Sequence, residues 1–182
     1  MVCFCGRLIG WLSINVINNK EKMSEFMYGL AAVKLGEKLL GYIEEGSFKL
    51  NGAKGEVTKI NAAQKHGGAV LVIPKSNGTI APSFDLIQMD YENMAALMGG
   101  ETVKTGGSQV TGWKAPSSLV QITSPLSIQT DSSHEVKIKK AFISAYIDGD
   151  LNLDSVSKVK VEVEVMIPDD SSEPYSIEDV AG

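Results

Sequence analysis

Few residues in this 182-residue chain have the type and spacing for chemistry. His66 and His134 are the two histidines, and each sits among polar or glycine residues. Neither has the Cys or Asp neighbours that mark a metal site, nor a sequence partner suited to general acid–base work. Cys3 and Cys5 are the two cysteines. A Cys-x-Cys pair at a terminus supplies two thiolates, and a closed site needs further ligands. Glu44-Glu45 and Asp169-Asp170 are adjacent carboxylates. Adjacent strand residues face opposite ways, so these make poor acid/base pairs. The glycine pairs Gly67-Gly68, Gly99-Gly100 and Gly106-Gly107 lack the strand-to-helix setting of a phosphate loop. No G-x-S-x-G elbow, P-loop or dinucleotide fingerprint is present. The expectation is a chain without catalytic residues, metal site or cofactor.

The elements that would position any site are mostly β-patterned. Leu30 to Leu35 and Lys38 to Glu44 read as strands around Gly36. Ala69 to Ile73 is a continuous apolar run and predicts a buried strand, with Asn77-Gly78 as a hairpin turn into Thr79 to Met89. Within Ser83 to Glu101, Asp90 is an N-cap, and Tyr91, Met94, Ala95 and Met98 fall on one helical face. Gly99-Gly100 ends that helix. Thr102 to Thr105 is a short strand and Gly106 to Pro116 a loop carrying Trp113. Val120, Ile122, Leu126 and Ile128 keep period two across Pro125, which implies an edge strand or a bulge. Val136 and Ile138 share a face; Ala141, Ile143, Ala145 and Ile147 continue out of phase. A slip of one residue near Lys139-Lys140 is what a β-bulge gives. Lys158 to Ile167 alternates cleanly, with Val159, Val161, Val163, Val165 and Ile167 on one side. The predicted fold is mainly β: an antiparallel sandwich or half-open barrel with one short flanking helix at about 90–98.

Composition bounds the rest. Hydrophobic residues are 43% and charged residues 21%, an ordinary globular balance. The net charge is −5, unevenly spread. Residues 1–22 hold Arg7, Lys20 and Lys22 against Glu21, while residues 23–182 hold 14 Lys against 21 acids. Arg7 is the only arginine, and arginine is the usual bidentate reader of phosphate and guanine. Tight nucleic-acid binding is therefore not expected of the body.

Three parts are distinguished. Residues 1–22 form an N-terminal extension, whose Leu8 to Ile17 is too short for a membrane span. It reads as a disordered extension, as a signal peptide lacking a small-x-small site, or as an upstream start assignment before Met23-Ser24. Residues 23–167 form a single β domain. Residues 168–182 form an acidic tail with five acids and no base, expected to be disordered. Within the domain, Glu45 to Gly68 is a long glycine-rich excursion, partly strand at Glu56 to Ala62. The simpler reading is a solvated loop. Its scattered Phe48, Leu50, Val57 and Ile60 suggest an arm that docks on a neighbour.

The order of elements resembles a major tail tube protein of long-tailed bacteriophages. The segments that carry the resemblance are Gly29 to Leu50, Ser83 to Glu101 and the KVKVEVEVMI strand. The resemblance implies a virion structural protein, assembled in the bacterial cytoplasm and resident in the tail. It implies homo-oligomeric rings, six copies each, stacking into a tube through which DNA passes without tight binding. Partners would be other copies, a tape measure protein and a tail terminator, with no membrane. The long loop would contact the next ring, with Phe48, Leu50, Val57 and Ile60 as docking candidates. Glu162 and Glu164 would be candidate lumen-facing acids, although Lys158 and Lys160 share their face. The alternatives are a tube protein of a contractile secretion system and a β-sandwich module binding glycan or protein.

Overall fold

The alternating strand at Lys158–Val165 is the spine around which the rest is laid. The structure is a computed structural model and describes residues 26–180, apart from Ser108, Leu151 and Asp154. The extension 1–22, with Cys3, Cys5 and Arg7, lies outside the described residues.

The strands in chain order are β1 (Ala32–Leu35), β2 (Lys38–Leu39), β3 (Val57–Ile60), β4 (Leu71–Pro74), β5 (Ser83–Leu86), β6 (Glu101–Lys104), β7 (Val110–Lys114), β8 (Ile122–Gln129), β9 (His134–Asp148), β10 (Lys158–Val165) and β11 (Tyr175–Asp179). Among the described residues one helix, α1 (Tyr91–Met98), lies between β5 and β6. The main sheet is antiparallel, in the order β2-β1-β8-β9-β10-β5, with β11 also on β9. Two hairpins, β3-β4 and β6-β7, stand outside it.

The two ends of this sheet are joined through one stretch of chain. Leu39 and Lys38 pair with Lys34 and Leu35, and Leu40 N–H donates to Val33 O at 2.9 Å. A few residues on, Tyr42 O accepts from Ile87 N–H and Glu44 N–H donates to Asp85 O, each at 2.9 Å. Residues 38–44 therefore bridge β1 at one end to β5 at the other. The predicted half-open barrel is realised by this seam, and Lys38 to Glu44 is a strand only at Lys38–Leu39.

The core follows from the pleat. Partnered residues share a face, which stacks Val33, Ile128 and Val136 in one row, and Leu35, Leu126 and Ile138 in the next. Further along lie Ile143 with Val163, then Val161 with Phe84, then Val159 with Leu86. Nearly all are fully buried. Each such side chain contributes about 1.5–3 kcal/mol of burial. Phe48 stacks on Phe84 with centroids 5.9 Å apart.

The predicted β-bulge is present. Ser124 partners Ala141 while Leu126 partners Ile138, so β9 carries one extra residue at Lys139-Lys140. That slip returns Ala141 and Ile143 to the core face, and Pro125 sits opposite it, on a strand flanked on both sides.

Four local expectations are corrected. The helix is capped as predicted, Asp90 Oδ1 accepting from Glu92 N–H at 3.2 Å and Gly99 leaving at φ 74°. Its buried face, however, is Asn93, Met94 and Leu97, and Tyr91 is exposed. Trp113 lies on β7 rather than in a loop, and its indole Nε1–H donates to Gly99 O at 2.8 Å, closing the helix end. The apolar run at Ala69 to Ile73 is not buried: β4 is exposed along its whole length and pairs with β3. Asn77-Gly78 is consequently not a turn between β4 and β5. Gly78 instead faces Gly55 across the chain; a Cβ on Gly78 would stand 2.9 Å from Ala53 O, and one on Gly55 would collide with Ser76 O. The pair permits close backbone approach.

The acidic tail is also ordered where disorder is expected from its composition. β10 ends at Ala141 of its long partner, leaving His134 to Ile138 without a neighbour on that side. β11 fills this edge, Tyr175 to Asp179 pairing with Ile138 to His134. The tail's acids lie near the lysines of β9: Lys137 on Glu178 at 2.8 Å, Lys139 on Glu173 at 2.7 Å and Lys140 on Asp169 at 2.5 Å.

Candidate functional site

The long excursion is a ribbon rather than a loop. Its pairs run Ile43–Leu86, Lys49–Ser83 and Ala53–Thr79, then Val57–Pro74 through Ile60–Leu71. The first two lie on the sheet edge; the rest lie beyond it. One two-stranded antiparallel ribbon thus leaves the barrel at Ser83 and continues outward. Asn51, at φ 47°, marks the departure, its amide Nδ2 donating to Ala81 O at 3.1 Å and Ser83 Oγ at 2.8 Å. Asn tolerates the left-handed region better than most residues. The eight residues from Ala53 to Ile60 span roughly 25 Å at about 3.4 Å each.

This arm exposes apolar groups on both faces. Thr58, Ile60, Leu71 and Ile73 share one face; Val57, Lys59, Val72 and Pro74 share the other. Ile60, Val70, Leu71, Val72 and Ile73 are all exposed. An isolated two-stranded hairpin is marginal in water, and contiguous exposed apolar surface marks an interaction site. Lys54, Lys59, Lys65 and Lys75 against Glu56 make the arm basic in an acidic domain.

A second feature lies past the other end of β5. A cleft of about 490 Å³ is walled by β1, the seam and the start of α1, with Leu39, Leu40, Tyr42, Gln88, Asp90 and Asn93 among its lining. Gly41 at its corner packs on Gln88, whose Oε1 accepts from Tyr42 N–H at 3.2 Å. Asn93 is 3% exposed and its Oδ1 has no hydrogen-bond partner among the described residues. Buried polar atoms are seldom left so, because the lost hydration costs about 1–3 kcal/mol. Lys38 on the rim is held by Glu92 at 3.6 Å. Leu39 and Tyr42 remain largely exposed.

The outward face of the sheet is polar. Lys158 bridges Glu44 and Asp85, both at 2.6 Å, and Lys160 meets Asp148 at 2.6 Å. Hydrogen bonds donated by the Lys158 ammonium to Asp85 and Glu44 raise the Lys158 pKa well above its ordinary value. The Lys160 ammonium lowers that of Asp148. At the far end the Ser127 hydroxyl, then Lys137, holds Glu135 below the ordinary carboxylate value. Glu162 and Glu164 stand on this face, exposed and without an ion-pair partner among the described residues. They border a shallow depression with Asn51, Ser83 and Phe142.

One Ser–His–Asp alignment is present. His134 Nδ1 lies 2.9 Å from Ser132 Oγ, and Nε2 lies 3.4 Å from Asp179 Oδ1. Ser132 is 7% exposed, and its oxygen already accepts from Tyr28 N–H at 3.1 Å. A nucleophile needs an approachable oxygen and a facing oxyanion site. This one is shut in, and the cluster ties the start of the domain to the end of β11. His66 lies exposed near the arm's tip, far from it in sequence.

Of the four docking candidates, the structure separates two from two. Phe48 and Leu50 pack against the domain's own core. Val57 and Ile60 are exposed on the arm. Leu71 and Ile73 join them there, although their apolar run reads as core. The exposed Leu39 and Tyr42 and the orphaned Asn93 do not stand out in the sequence, because nothing local signals their surroundings. No protein-family model matches this chain, and no curated protein matches it.

Proposed function

We propose that this protein is a non-enzymatic structural subunit that assembles with copies of itself into stacked rings, forming a tail tube through which DNA passes. The observation behind the reading is the arm: a basic ribbon, apolar on both faces, that its own domain leaves uncovered. A partner must cover such a surface, because the ribbon alone buries too little to be stable.

Two further features support it. The half-open barrel presents a polar sheet face on which Glu162 and Glu164 have no ion-pair partner among the described residues, and the described body holds no arginine. A passage lined in this way repels phosphates instead of releasing their counterions. Arm and cleft also lie past opposite ends of β5, the arrangement of a head-to-tail contact. Such contacts close into rings or run on as filaments, whereas a two-fold contact stops at a dimer.

Sedimentation velocity over a concentration series tests the reading. Species far larger than the 19.5 kDa chain, growing with concentration, are expected. A single monomer peak at every concentration, with salt and crowding agent varied, would overturn it.

A further inference from the structure

We infer that Asn77 is a site of spontaneous covalent change, deamidation through a succinimide, and that the fold spares the other Asn-Gly pair, Asn51-Gly52. The inference is independent of the assembly reading. It starts from a slip in the ribbon. Ala53 pairs with Thr79, while Val57 pairs with Pro74. Residues 54–56 therefore face the longer stretch 75–78, and the second strand carries an extra residue. Such a bulge leaves backbone outside the ladder. Lys75 and Ser76 N–H both turn to Glu56 O, and Thr79 N–H turns to Ala53 O. Between them, the Gly78 N–H and the Asn77 side chain have no hydrogen-bond partner among the described residues. Both residues are exposed.

That leaves a nucleophile and an electrophile side by side and unrestrained. The Gly78 backbone nitrogen attacks Cγ of Asn77. A C–N bond closes the succinimide ring, the Cγ–Nδ2 bond breaks, and the displaced nitrogen leaves as ammonia with the proton from Gly78. Water then opens the ring at either carbonyl, giving aspartate or isoaspartate. Intramolecular attack is favoured when the partners are already adjacent, and Gly78 has no side chain to crowd its nitrogen. Asn51 differs at one atom. Its Nδ2 donates to Ala81 O at 3.1 Å and to Ser83 Oγ at 2.8 Å, and both bonds must open before the amide can turn toward Gly52. At residue 77 the change adds a carboxylate near Lys75. In the isoaspartyl form it also adds a backbone carbon where Gly78 closely faces Gly55.

Peptide mapping reads both sites at once, because trypsin cleavage after Lys49, Lys54, Lys75 and Lys104 puts Asn51 and Asn77 on separate peptides. The full chain is incubated in mildly alkaline buffer, folded and in denaturant, and sampled over days. Tandem mass spectrometry locates the converted residue, and chromatography separates the isoaspartyl form. Each site's rate in denaturant is its own reference. In the folded chain Asn77 is expected to stay within a few-fold of its reference. Asn51 is expected to fall at least roughly tenfold below its own, the effect of two hydrogen bonds that must open first. Ser83→Ala removes one acceptor and should speed Asn51 alone, with circular dichroism verifying the fold. A folded chain in which Asn77 is slowed as much as Asn51 would overturn the inference. So would an Asn51 that the fold does not slow. A folded Ser83→Ala chain with an unchanged Asn51 rate would overturn the protective role given to these bonds.

Discussion

Lys49 and Ser83 exchange both of their backbone hydrogen bonds, at 2.9 and 2.8 Å, and the ribbon departs from the sheet immediately beyond them. Inside that pair the ribbon is anchored by the core, through Ile43 and the Phe48–Phe84 stack. Just outside it Leu50 and Ile80 still pack on the core, and farther out β3 and β4 pair only with each other among the described residues. One ribbon therefore has a half packed on its own core and a half left exposed, and under the proposed assembly substitutions in the two should behave differently.

Phe48→Ala and Phe84→Ala test the structural half. Both should destabilise the monomer, Phe84→Ala by about 3–5 kcal/mol and Phe48→Ala by less, since Phe48 is only partly buried. Denaturant unfolding measures this. An unchanged midpoint for Phe48→Ala would return that residue to the docking set.

Val57→Asp and Ile60→Asp test the other half. Surface substitutions of this kind alter stability by about 0.5 kcal/mol or less. The expected outcome is an unchanged melting curve for the monomer with assembly weakened in light scattering. A loss of several degrees would place the arm in the domain's own packing.

The pH dependence follows from the carboxylates on the polar face and the tail. Glu135, Glu173 and Glu178 have folded-state pKa values below the ordinary 4.5, owing first to Ser127, Lys139 and Lys137 respectively. A lowered folded value means stability that is fully present above pH 4.5 and lost as pH falls through the folded pKa. Lys158 has the opposite sign: its raised value gives a contribution present below the ordinary 10.5 and lost only as pH rises further. Thermal melting should be flat through neutrality and fall below about pH 4.5. Glu135→Gln should flatten part of the acid limb.

Removing β11 should uncover the edge of β9. Truncation after Pro174 forfeits the Tyr175–Asp179 ladder, with about 0.5–1.5 kcal/mol for each hydrogen bond lost. Exposed strand edges invite pairing with other chains. Lower melting and irregular aggregation are expected. Full stability without the strand would make the tail dispensable.

How much of this was legible in the sequence depended on how local the cause was. The helix was readable because Asp90 and Gly99 act within a turn of themselves. The bulge was readable because Lys139-Lys140 shift the phase of a 15-residue strand, and periodicity records such a shift directly. The apolar run at Leu71 misled because a strand's burial is decided by what packs on it, and nothing in the described chain packs on β4. The helix face was rotated from the expected one because Leu97 is drawn to the sheet core, which the helix's own pattern does not reveal. The tail strand escaped because its cause lies elsewhere: β9 outlasts β10, and the unpaired edge accepts even an acidic segment when lysines face it.

Negative-stain electron microscopy of the purified protein across a concentration series puts self-assembly to the plainest test. Hollow rings that stack into tubes are expected, with the Ile60→Asp variant arrested at single rings or smaller. Featureless monomers from the wild type at every concentration, matched by monomer mass in light scattering, would refute the tube.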